Sequence, residues 1–342
     1  MQNTKRYQLI FLALILLLLL CFFINISLGS ISIPNVEIFK TIFGKSAHMS
    51  WHHIIMDYRL PKAFTAIIVG SGLGISGLMM QTLFRNPLAG PFVLGITSGA
   101  SLGVAIVTMG TSLFGGLLLG VLASKWTLVM AATLGSFLVL LTVLIVSTKV
   151  RDAMAILIIG LMFGSISGAV VNVLSYFSSA EELQQYFFWG FGSLGNLSWN
   201  ELLILFILYA AGILLSLAAI KSLNSLLLGE NYAKSLGLDI KKSRLLIITS
   251  TSLLAGTITA FAGPIAFIGL AIPHITRQVF STSNHKILLP AVFLFGAIIM
   301  LICDSIAQLP SSDYTLPINA ITSLIGAPVV IWLLVRKRKM MF

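Results

Sequence analysis

Leu9-Ile10-Phe11-Leu12-Ala13-Leu14-Ile15-Leu16-Leu17-Leu18-Leu19-Leu20-Cys21-Phe22-Phe23-Ile24-Asn25-Ile26 contains one polar side chain and no charge. Coiled as a helix, a run of this length matches the hydrocarbon thickness of a bilayer, which takes about 20 residues. Lys5 and Arg6 precede it and Ser27-Leu28-Gly29 follows as a small-x-small sequence, a layout shared by a signal peptide and a first membrane helix. The run exceeds the roughly 7 to 15 apolar residues of a signal-peptide core, which favours a retained helix.

Outward from this run, nine more apolar stretches read as spans: Pro61–Leu83, Pro91–Met109, Thr127–Ser147, Ala153–Phe177, Leu202–Ile220, Leu245–Ala262, Pro264–Phe280, Ile287–Gln308 and Ile318–Val335. The fold class is therefore an all-α integral membrane protein of about ten transmembrane helices. The composition excludes a water-soluble globule: 58% of the 342 residues are hydrophobic and 9% charged, against roughly 25% charged in soluble domains. Ten helices of about 20 residues use about 200, and the longest polar-leaning gap, Gly29–Tyr58, is shorter than the roughly 50 residues of a small domain. Residues 1–342 thus form a single transmembrane domain with no soluble domain. Leu113–Ala123 stays open between a re-entrant piece and an extension of the fourth helix. Cys21 and Cys303 each lie inside an apolar run and read as buried thiols.

With an even number of spans and the N-terminus inside, both termini are cytoplasmic. Sixteen Lys and Arg residues then fall inside, and five (Lys40, Lys45, Arg59, Lys62, Lys125) outside. This positive-inside asymmetry accounts for the net charge of +11 through topology and contact with anionic lipid, without nucleic acid. Glycine recurs every fourth residue at Gly95, Gly99 and Gly103 in the third span and at Gly160, Gly164 and Gly168 in the fifth. Such stripes let backbones approach closely, either for packing between helices or along a pathway. Gly90-Pro91 and Gly263-Pro264 open two similar segments that run into Gly95 and Gly269. On this topology they have opposite orientation, as in the inverted repeats of transporters.

Chemistry of its own is hard to find in this chain. Gly44-Lys45-Ser46 copies the tail of a phosphate-binding loop, but Phe39 stands at the leading glycine position and the segment is external, so no ATP site is expected here. His48, His52 and His53 cluster near Trp51, either as metal or haem contacts or as interfacial residues beside an aromatic anchor; with no thiol or carboxylate spaced to join them, no metal site is assigned. His274, Arg277 and Asp304 are the obvious ionisable groups within spans, with helix-end capping and interfacial hydrogen bonds as their plain alternative role. No row of acids threads the bilayer as a proton-coupled carrier requires, and no paired acid and base serves an intramembrane enzyme.

Several blocks carry a resemblance. Arg59-Leu60-Pro61-Lys62, Gly77-Leu78-Met79-Met80-Gln81, Phe84-Arg85-Asn86-Pro87-Leu88-Ala89 and Leu94-Gly95-Ile96-Thr97-Ser98-Gly99-Ala100 are followed by Leu228-Gly229-Glu230 with Ala233 and Leu236-Gly237-Leu238. Gly263–Leu270, Ile272–Arg277 and Ala320–Pro328 complete the series. Together they resemble the FecCD-type permeases of ABC importers for iron-siderophores, haem and cobalamin, over nearly the whole chain.

The resemblance implies a type II importer-like fold in the cytoplasmic (inner) membrane and a likeness in function: a non-enzymatic permease subunit translocating such a chelate by alternating access. It implies as partners an identical or homologous permease subunit (a homodimer), two cytoplasmic ATP-binding-cassette ATPases, an external substrate-binding protein and lipid. No cofactor is implied for this chain, since ATP and Mg serve the partner ATPases. Leu228, Gly229, Glu230, Ala233, Leu236 and Gly237 look like the ATPase-coupling segment, and Arg59 and Lys62 like outward-facing cations that dock the binding protein. Relatives tend to carry a third basic residue where Gln308 stands. Asn86, Pro87, Gly95, Gly99, Gly103, Gly160 and Gly164 are placed on the pathway or in helix packing. A secondary transporter of a small ion or metabolite is the alternative; ATPase and binding-protein genes beside this one would separate the two.

Overall fold

The computed structural model describes residues 2–44, 49–110, 124–150, 153–195, 197–309, 312 and 314–335. His48, most of Gly110–Ala123 and the basic tail lie outside the described residues. Among them no strand occurs, as a bilayer requires of a chain that is not a closed barrel: every peptide group must find its partner within its own segment. Among the described residues seven helices are long and apolar enough to cross a membrane. Each of the ten expected segments is helical over most of its length.

The helices are α1 (Gln2–Ser27), α2 (Asn35–Ile42), α3 (Met49–His53) with the π-turn Ile54–Arg59, α4 (Leu60–Leu83), α5 (Ile96–Met109), α6 (Lys125–Lys149), α7 (Ala153–Phe177), α8 (Ala180–Gly190), α9 (Trp199–Ala218), α10 (Ile220–Leu226), α11 (Glu230–Ser235), α12 (Ile240–Ala262), α13 (Ile268–Phe280), α14 (His285–Ala307) and α15 (Ile318–Val335). The third and eighth expected spans are shorter than the sequence predicts. Pro91–Leu94 forms a 3-10 turn, Gly95 takes φ 74°, and only Ile96–Met109 is α-helical. The eighth opens likewise: Gly263 takes φ 76°, Phe267 takes φ 65°, and the helix runs Ile268–Phe280. Both Gly-Pro junctions are therefore broken entries to short helices.

The chain divides into two compact units. Residues 1–75, 193–207 and 265–340 make the first. There α1 and α13 both pack on α14, and α15 packs on α13 and α14. Gly70 and Gly296 meet carbonyl to Cα, so close that neither position has room for a methyl group. Tyr7 and Phe11 place their rings 5.8 and 5.0 Å from that of Phe280. Residues 76–192 and 208–264 make the second unit, where α5 packs on α6 and α7, and α12 on α6.

The glycine stripe explains the close approach of α5. A Cβ at Gly99 would lie 2.5 Å from the Gly135 carbonyl oxygen, one at Gly103 would overlap the Ala131 carbonyl, and one at Gly95 would lie 2.8 Å from the Gly160 carbonyl. The same backbone approach lets Ser136 donate from Oγ to the Ile96 carbonyl at 3.1 Å. Gly160 abuts Val93 and Leu94, Gly164 faces Ser98, and Gly168 has open space beside it. Gly95, Gly99, Gly103 and Gly160 thus lie where helices approach backbone to backbone.

Met130, Leu134, Phe137, Leu138, Leu141 and Ile145 of α6 are exposed along one side. Soluble proteins rarely expose a contiguous apolar surface of that extent; lipid or partner helices cover it without cost. Many hydroxyls along the spans turn inward on their own helices: Thr65, Thr82, Thr108 and Thr276 each donate to the carbonyl four residues back, which satisfies these donors without water. Cys21 and Cys303 are both buried.

Candidate functional site

The segment after α10 turns sharply because Gly229 takes φ 102° and ψ 153°, a conformation that an L side chain rarely adopts. One and a half turns of helix follow, and then a second left-handed residue, Gly237 at φ 82°. The Gly237 N–H donates to the Lys234 carbonyl and the Leu238 N–H to the Ala233 carbonyl, the bond pair of a Schellman helix end. Asp239 then caps α12 by accepting from the Lys242 N–H at 3.1 Å, and this bond holds its carboxyl below the ordinary aspartate range. Ala233 is wholly buried and anchors the turn, while Leu228, Tyr232 and Leu236, four residues apart, are exposed. All six residues named by sequence for coupling thus lie in one exposed knuckle, with two glycines setting its bends.

Two arginines grip that knuckle. Arg244, in α12 and almost wholly buried, places Nη2 2.9 Å from Glu230 Oε1, and its Nη1 donates to the Val150 carbonyl at 3.2 Å. Arg85, just past α4, donates to the Leu227 carbonyl at 3.4 Å. It occupies the αL position of a second Schellman end, at φ 47°, where glycine is usual. Asn86 Oδ1 accepts from the Leu88 N–H at 2.9 Å, so Asn86-Pro87 form the turn that follows. Between these groups opens a cavity of about 820 Å³ lined by Phe84, Arg85, Met154, Gly229, Glu230 and Tyr232. Arg85 and Arg244 were not among the sequence candidates. The one hint was Arg85 inside Phe84-Arg85-Asn86-Pro87; nothing local marks Arg244 among its neighbouring lysines.

The other end of the chain's charge pattern requires a correction. Arg59 and Lys62 were expected to face outward, free for a docking partner. Arg59 is instead 8% exposed, and its guanidinium donates to the carbonyls of Ile26, Ser27 and Ile31. These carbonyls have no helical partner beyond α1, so one planar fork satisfies three acceptors. Gly29 leaves the room: a Cβ there would lie 2.7 Å from Arg59 Nη2. Lys62 pairs with Asp304 at 3.1 Å. Asp304 is 2% exposed and also accepts from Asn25 Nδ2 and Gln308 Nε2, each at 2.9 Å. Gln308 thus turns inward to the carboxylate. A buried carboxylate demands partners more strongly than a surface contact demands cations.

His52 and His53 are exposed, and His53 Nδ1 lies 2.8 Å from Asp57 Oδ2. Among the described residues no group of three His, Cys, Asp or Glu is placed to hold a metal ion. His274 is buried in α13.

The model of the FecCD transport family matches residues 17–336. The hemin transport system permease protein HmuU of Yersinia pestis is 34% identical over 94% of this chain and 95% of its own length. The vitamin B12 import system permease protein BtuC of Klebsiella pneumoniae is 35% identical over 99% of this chain and 96% of its own. A solved structure of a metal-chelate type ABC transporter in an inward-facing conformation superposes with a TM-score of 0.81 at 34% identity, covering 96% of this chain and 99% of that one.

Proposed function

Because the chain belongs to the FecCD transport family, we propose that it is the membrane-spanning permease subunit through which an ATP-driven importer moves a bulky metal chelate of the haem, cobalamin or iron-siderophore class. The observation that carries the coupling part of this reading is the knuckle at 228–238, an exposed apolar face beside a cavity, held to its own helices by Arg85 and Arg244. A projecting element of this kind gives a second protein something to grip. In this reading two ATPases close around it on ATP and rock a permease dimer between outward- and inward-open states.

In this reading the knuckle and both termini are cytoplasmic, which is supported by the sixteen Lys and Arg residues that then fall inside against five outside. An external binding protein delivers the chelate to the opposite face. Its docking contacts do not rest on the Arg59 guanidinium, which is buried against helix-end carbonyls, while Lys62, paired with Asp304, keeps part of its side chain exposed. ATP and Mg belong to the partner subunits.

Reconstitution with ATP-binding-cassette ATPases as partners tests the reading. Haem, cobalamin and a ferric siderophore are offered in turn to proteoliposomes, each with its cognate binding protein. One of them accumulates with ATP and Mg and not without. Uptake driven by a proton or sodium gradient with no ATPase present would instead make the chain a secondary carrier.

A further inference from the structure

Three helices end where Arg244 lies. It sits in α12, its Nη2 holds Glu230 at the start of α11, and its Nη1 holds the Val150 carbonyl at the end of α6. A planar guanidinium can bind two elements at once with fixed geometry; an ammonium cannot. Its neighbour Ser243 adds a hydroxyl contact of 3.0 Å to Ser222 in α10. The two partners of the ion pair differ in burial. Arg244 has 6% of its side chain exposed and Glu230 has 37%, so removing the arginine leaves a carboxylate that water reaches, whereas removing the glutamate leaves a buried cation. Arg85 contacts the same knuckle through one long, exposed bond, which binds it less firmly.

We propose that Arg244 is a positioning residue for transport: through Glu230 and Val150 it makes the coupling knuckle, the start of α12 and the end of α6 move as one block. The inference rests on reading 228–238 as the ATPase-coupling segment. Arg244 touches no substrate; it converts a push on a six-residue helix into displacement of two spans. Without it the knuckle remains attached by its short connections, the Arg85 bond and the Ser243–Ser222 contact, and the push is absorbed by bending at Gly229 and Gly237.

The test uses the importer in lipid nanodiscs, permease with its ATPases, read by amide hydrogen exchange with Mg-ATP plus orthovanadate and again without nucleotide. In the wild type, nucleotide trapping changes protection at 228–238 and together with it at 146–150 and 240–248. In Arg244→Met the change at 228–238 persists, phosphate release from Mg-ATP continues, and the changes at the two distant segments fall by about tenfold. Arg244→Lys, which keeps the pair with Glu230 but not the second bond, restores the response at 240–248 and not at 146–150. Wild-type responses at both distant segments in Arg244→Met overturn the inference. Should that variant fail to assemble, the exchanged pair Glu230→Arg with Arg244→Glu decides: a recovered response at 240–248 supports the inference, and an absent one overturns it. A wild-type importer whose knuckle shows no response to nucleotide removes the coupling reading itself, a failure visible before any variant is made.

Discussion

Lys62 and Asp304 form an ion pair in which one partner is 3% exposed at its side chain, and such a pair is worth little as a whole but much to either member left alone. Lys62→Met leaves Asp304 with two amide donors and no cation, and is expected to destabilise the detergent-solubilised protein by about 3–5 kcal/mol. Adding Asp304→Asn removes the unpaired charge and recovers most of the loss; melting temperatures of the single and double variants measure both steps. A single variant as stable as the wild type would show the carboxylate to be solvated. The same reasoning revises what a charge reversal at Glu230 does. Glu230→Lys sets a second cation against buried Arg244, so copurification with the ATPases and permease stability are expected to fall together, by about 2–5 kcal/mol. Glu230→Gln, which keeps a hydrogen-bond acceptor, is the milder change. Equal behaviour of the two would separate the knuckle's attachment from its charge.

At the scale of elements, α5 lies so close to α6 that even one methyl group has no room. Gly99→Ala is expected to lower stability by about 1–3 kcal/mol through overpacking, because its Cβ would sit 2.5 Å from the Gly135 carbonyl. Gly168→Ala, facing open space, should leave the melting temperature unchanged or raise it slightly, since alanine favours a helix. Were Gly99→Ala as stable as Gly168→Ala, the stripe would not be a packing surface. The start of α12 depends on pH through Asp239, whose carboxyl is held below the ordinary value of 3.8 by the Lys242 N–H it accepts from. A depressed folded value means that the cap is fully present above the unfolded value and is lost as pH falls through the folded one. Amide exchange at 240–243, corrected for its intrinsic pH dependence, should therefore accelerate below about pH 4 in the wild type. Asp239→Asn, which caps without titrating, should show no such step.

For the whole molecule, the charge asymmetry predicts that tags at both ends are reached by protease or antibody only from the cytoplasmic face in right-side-out vesicles; a tag reached from outside would reverse the assignment of sides. The apolar runs by themselves determined that the chain is all-helical and membrane-spanning, because a bilayer leaves a backbone of this composition no other way to satisfy its polar groups. The ordered motifs likewise marked the family and the knuckle at 228–238, where glycines at fixed spacing are a local backbone requirement. Only the tertiary structure decided which cations are free. Arg59, Lys62, Arg85 and Arg244 look alike in sequence, yet Arg59 serves helix-end carbonyls, Lys62 a buried carboxylate, and Arg85 and Arg244 one turn. Burial and partners 28 to 33 positions away for Arg59, and 14 and 94 positions away for Arg244, set these roles, and no local pattern records them. The third and eighth spans show the same division: Gly-Pro marked a break, but where the helix resumes depends on φ at Gly95 and Phe267, residues that lie against Gly160 in one case and Gly326 in the other, partners that no local pattern names.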